Sequence, residues 1–140
     1  MTPDAADAPE VLVATAHLES GSAPHAQQLK VGHHALTADE PTSHGGGDTG
    51  PSPTGILLAA LAACTSITLR MYADRKGWDL GQVRVDAKLF RAGAAERIER
   101  VVRFGAALPG DQVARLLEIA DKTPVTKMIK AGVPIATRVQ

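Results

Sequence analysis

Between Pro53 and Lys76 the chain carries a helix whose first half has no polar face: residues 56–64 read ILLAALAAC, apolar at every position. Both ends of the helix are marked. Ser52 is a good N-cap, and Pro53 suits the first helical position, where its missing N–H costs nothing. Arg75 and Lys76 sit favourably with the dipole in the last turn, and Gly77 can take the left-handed conformation that closes it. At 1.5 Å per residue this helix is about 36 Å long. A helix apolar on every side must be surrounded, and few chains of 140 residues can do that alone. The uninterrupted apolar run is also half the roughly 18 residues that a membrane span needs, so no spanning segment is expected.

Strands account for most of the rest. Residues 11–19 alternate, with Leu12, Ala14, Ala16 and Leu18 on the apolar face, and residues 28–31 and 34–38 read as two short strands joined at Gly32. The Gly- and Pro-rich stretch 41–53 is the one long irregular loop, and it delivers the chain into the central helix. Val83, Val85, Ala87 and Leu89 alternate with charged residues, as do Ile98, Val102 and Phe104, which predicts a hairpin turning at Gly93. Val113, Leu116, Leu117 and Ala120 fall at helical spacing. Thr123 and Pro124 then restart a short helix through about Lys130. Val133, Ile135, Thr137 and Val139 read as a closing strand. The order βββ-α-ββ-α-β describes an α+β domain with largely antiparallel sheets. Residues 11–140 are expected to form one domain, preceded by a disordered acidic tail over residues 1–10, which carries no Lys or Arg and so does not resemble a signal peptide. Six short strands of one small chain cannot cover the apolar helix, which predicts a homodimer.

Composition narrows the function. Fifteen basic residues balance fifteen acidic ones, so no long-range field gathers nucleic acid or an anionic membrane. A single cysteine, Cys64, excludes an intrachain disulfide and a thiolate metal cluster, and it fits a reducing, cytoplasmic setting. The five histidines show no metal-ligand spacing, and adjacent His33 and His34 would point to opposite faces of a strand. The run from Gly45 to Gly50 lacks the Lys and Ser/Thr order of a nucleotide loop. No cofactor and no metal are expected.

The segment GGGDTGPSPTGILLAALAACTSITLRMYADRKGW resembles the osmotically inducible protein C and organic hydroperoxide resistance family (OsmC/Ohr). The likeness extends upstream through Gly32, His34, Leu36 and Ala38-Asp39-Glu40-Pro41. Downstream it runs through Arg97-Ile98-Glu99-Arg100 to Leu116-Leu117-Glu118-Ile119-Ala120-Asp121-Lys122. It implies the OsmC-like fold, an intertwined homodimer in which two sheets wrap two long central helices. It also implies a thiol peroxidase of the oxidative stress response. Family enzymes reduce hydroperoxides with one cysteine on the central helix and another at the start of the later short helix, tuned by an Arg from the amino-terminal strands and a Glu near the start of the central helix.

Cys64 matches the first of these, the peroxidatic thiol. The second position, in a Cys-Pro-Val-His pattern, reads Thr123-Pro124-Val125-Thr126; Thr54 and Gly55 replace the carboxylate; and no Arg precedes Arg70. The resemblance therefore implies a degenerate site made of Cys64 with Thr54, Gly55, Thr123 and Thr126 lining it. A peroxidatic thiol must be a thiolate, and its sulfenic acid must be relieved by another thiol. From its own helix Cys64 has neither aid, since Arg70 lies about 240° round the axis. A buried Cys behaving as a small hydrophobe is the competing reading. Three functions stay open: weak or lost peroxidase activity in a stress-response protein, a single-cysteine organic hydroperoxide reductase served by an external thiol, and a non-catalytic dimer that holds a small apolar ligand.

Overall fold

The computed structural model describes residues 8–140, which fall into two compact units divided after Pro53. The expected tail over residues 1–10 lies mostly outside the described residues. In the first unit, β1 (Ala16–Ser20), β2 (Gln27–Val31) and β3 (His34–Ala38) form an antiparallel meander in the order β1-β2-β3. The first strand is shorter than its alternation predicts, for a reason of register. Ala16 pairs with Val31, the last residue of β2, and the chain then turns at Gly32, so residues 11–15 have run past the end of their partner. His33 belongs to this two-residue turn rather than to a strand. Its ring therefore lies 4.0 Å from that of His34 instead of on the opposite face.

The loop after β3 is built on Asp39, which is buried. Its carboxylate accepts hydrogen bonds from the backbone N–H groups of Glu40, Gly47 and Thr49 and from the Thr49 hydroxyl at 2.6 Å. Gly46 passes so close to the Glu40 carbonyl that a Cβ would overlap it, so glycine here serves close approach. The Thr49 hydroxyl first, then the N–H groups of Thr49 and Glu40, outweigh burial and lower the Asp39 pKa from 3.8 to about 2. A folded value below the unfolded one means that this support is complete above about pH 4 and is lost as the pH falls through about 2. The Asp39 carboxyl carbon should titrate by NMR with a midpoint near 2; a midpoint near 3.8 would show that the loop does not hold the charge.

The second unit carries α1 (Pro53–Lys76), the bounds its caps predict. Its end is a Schellman turn: Gly77 is left-handed, its N–H reaches the Asp74 carbonyl, and the Trp78 N–H reaches that of Ala73. A hairpin follows, β4 (Val83–Ala92) with β5 (Ala95–Phe104), then α2 (Gly110–Ala120) and α3 (Pro124–Ala131). The core is Leu69 and Ala73 of α1, Leu80, and Leu116 and Ala120 of α2, with Val83, Val102 and Phe104 of the hairpin packed on it. The expected closing strand does not form. Residues 132–140 have no ladder partner among the described residues, and Ile135 and Val139 stand 90% and 96% exposed. The α+β class holds, while the observed order is βββ-α-ββ-α-α.

Candidate functional site

The site grows from the alternation of β5. With Ile98, Val102 and Phe104 facing inward, Arg100 faces inward too, and it stands opposite the small Ala87 of β4, which leaves room for its length. The side chain is only 14% exposed. Nη1 donates to the hydroxyls of Thr65 (3.0 Å) and Thr126 (2.9 Å), and Nη2 donates to the Ala120 carbonyl (2.9 Å) and, more weakly, to Asp121 Oδ1 (3.4 Å). One guanidinium thereby ties α1, β5, the end of α2 and α3 together.

Hydroxyls complete the network. Thr65 donates to the Leu61 carbonyl at 2.7 Å, which leaves its lone pairs for Arg100. The Thr123 and Thr126 oxygens lie 2.7 Å apart, and Thr123 caps α3 by accepting from the Thr126 N–H. Both are buried, and among the described residues no buried side-chain nitrogen or oxygen lacks a partner.

Of the residues singled out in the sequence, the structure bonds Thr123 to Thr126. The buried stripe of α1 is Leu61, Thr65, Leu69 and Ala73, and Cys64 is half-buried beside it, with its sulfur 4.0 Å from the Thr68 hydroxyl. Thr54 is exposed and Gly55 half-buried at the start of α1, about 14–15 Å of helix rise from Cys64. Arg70 turns away to the Gly81 carbonyl at 2.8 Å. Arg100 went unmarked because it reads as one more charge in an alternating strand. The signal was present, since the period that places Ile98 and Val102 inside places Arg100 between them.

A cavity of about 740 Å³ opens beside this network. Leu61, Leu89, Ile98, Val102, Leu117 and Ile129 form its apolar wall, and Arg100, Thr126, Arg97, Lys130, Glu96 and Asp121 its polar part. Thr126 lines it; Thr54, Gly55, Cys64 and Thr123 do not. Among the described residues no three His, Cys, Asp or Glu side chains gather to hold a metal.

Residues 45–138 match the family model described as OsmC-like protein. An uncharacterized protein of Haloferax volcanii is 34% identical over 77 residues, 53% of this chain and 58% of its own length. Three solved structures share the fold. A Psychrobacter arcticus protein assigned to the osmotic stress induced and detoxification response superposes with a TM-score of 0.70 at 16% identity, over 86% of this chain and 90% of that one. The organic hydroperoxide resistance protein OhrB of Bacillus subtilis gives 0.60 at 19%, over 87% and 93%. A Vibrio cholerae protein assigned to organic hydroperoxide resistance, with captopril bound in one of its active sites, gives 0.66 at 17%, over 89% and 88%. By length and a mean hydropathy of 1.6, α1 alone would pass for a membrane span. The matched region contains all of it, which makes it the core helix of this fold.

Proposed function

The chain belongs to the OsmC-like family, and from that premise we propose that it is a homodimeric cytoplasmic stress-response protein whose peroxidase activity is far below that of two-cysteine members. The observation that carries this reading is position 123. A buried threonine hydroxyl, bonded to Thr126 and capping α3, stands at the position where the family resemblance implies a second thiol, and Cys64 is the only cysteine of the chain. The chemistry left to Cys64 is a one-cysteine cycle. Its thiolate attacks the outer oxygen of a hydroperoxide, the O–O bond breaks, the alkoxide takes a proton to leave as an alcohol, and the sulfur is left as a sulfenic acid. An external thiol condenses with that acid, releasing water and leaving a mixed disulfide, and a second thiol reduces it. Without a second cysteine the sulfenic acid stays open to irreversible oxidation. Hydroperoxide consumption in the presence of a dithiol should be slow and should disappear in Cys64→Ser. Consumption that persists in that variant would remove Cys64 from the reading.

The dimer, with residues 11–140 of each copy acting as one domain, is supported by what one chain leaves uncovered. Ile67 and Met71 on α1 are 59% and 53% exposed, both sheets have open edges, and the apolar alternation of residues 133–139 has no partner among the described residues. Light scattering at micromolar concentration should give twice the chain mass of 14.6 kDa; a value near 14.6 kDa rejects the dimer.

A second reading, a non-catalytic dimer that holds a small molecule, is favoured by the cavity, whose lining includes Thr126 and excludes Cys64. The captopril in the Vibrio cholerae protein supports it to the extent that a site on this fold takes a small organic molecule.

A further inference from the structure

The charge of Arg100 is poorly matched where it sits. Three of its four hydrogen bonds go to neutral oxygens, and its carboxylate neighbour, Asp121, is 3.4 Å away, 65% exposed and shared with Lys130 at 3.6 Å. A cation withdrawn into an apolar wall favours an anion beside it, because neutral dipoles replace water only in part. The guanidinium has five N–H groups, and the four on Nη1 and Nη2 are engaged. The N–H on Nε has no bonded partner among the described residues, and no fully buried side-chain nitrogen lacks one, so this donor is not wholly withdrawn from solvent. The remaining charges of the cavity point the same way. Arg97, Arg100 and Lys130 line it with Glu96 and Asp121; Glu96 is paired with Arg91 at 3.2 Å and Arg97 with Glu99 at 3.5 Å, which leaves Arg100 and Lys130 against the single carboxylate of Asp121.

We propose that this cavity binds a small amphiphile with a carboxylate head and an aliphatic body, the head taken by Arg100 and the body by the wall of Leu61, Leu89, Ile98 and Leu117. Binding stands whether or not Cys64 turns over, since the thiol does not line the cavity. Arg100 is then the residue that sets the charge of the ligand. A neutral ligand of the same shape gains the apolar contacts and leaves the guanidinium as it was, and a cationic one adds repulsion.

The test titrates the purified full chain with three probes that share one chain and differ in head group: octanoate, 1-octanol and octylammonium. Calorimetry should show octanoate binding at least about tenfold more tightly than octanol, with octylammonium weakest. In Arg100→Met the preference for octanoate over octanol should disappear. If that variant does not fold, the head-group order in the native protein decides alone. Equal binding of octanoate and octanol overturns the proposal, as does a preference for octylammonium. Binding of none of the three overturns it too, because the cavity is then filled in the assembled protein. Cys64→Ser should bind octanoate as the native protein does, which separates this result from any failure of the peroxidase reading.

Discussion

Arg100→Ala should lower the unfolding free energy by about 3 kcal/mol. Three short bonds from one guanidinium to Thr65, Thr126 and the Ala120 carbonyl are lost together. Bonds to a charged group are worth about 1.5–3 kcal/mol each. The gross loss therefore exceeds the net figure, and relief of the desolvated charge offsets part of it. Arg100→Lys should recover little, because an ammonium cannot reach three elements with the planar fork that the site uses. Urea unfolding measures both variants. A loss under about 1 kcal/mol for the alanine variant would mean that the network does not hold α1, β5 and α3 together.

The paired substitution Thr123→Cys with Thr126→His supplies the residues that the family resemblance implies at those positions, and it should not give fast turnover. Thr123 caps α3 and Thr126 is an acceptor for Arg100, so the pair should first cost about 1–3 kcal/mol of stability. A thiol at position 123 can form a disulfide with Cys64 only after Cys64 has been oxidised, and the Arg and Glu of the family site are still missing. A nearby cation is what favours the reactive thiolate, so a second thiol alone should leave turnover slow. Rapid hydroperoxide consumption by the double variant would show that the second thiol was the only missing part.

What the sequence made legible follows from local chemistry. The caps at Ser52-Pro53 and Gly77 set the bounds of α1, and the two Gly-containing turns set the hairpins, because each signal acts within a few residues of itself. At both ends of the chain alternation overstates the strands, for one shared reason. Alternation shows which residues have an apolar face, but a strand also needs an edge to pair with, and β2 ends at Val31 while residues 133–139 find none among the described residues. The site was legible in part. Thr123 and Thr126 stand out through the family resemblance, whereas Arg100 is hidden by its charge, although its register already places it inward.

The most direct test follows the sulfur of Cys64 itself. The purified protein is mixed with one equivalent of an organic hydroperoxide and excess small thiol, and the chain is weighed over time by mass spectrometry beside a two-cysteine member of the family. The expected result is slow conversion confined to Cys64, seen as sulfenic acid and mixed disulfide, on the order of tenfold or more below the relative and with no disulfide within the chain. Conversion of Cys64 as fast as in the two-cysteine protein, with consumption abolished by Cys64→Ser, would contradict the degenerate site and establish an efficient one-cysteine peroxidase.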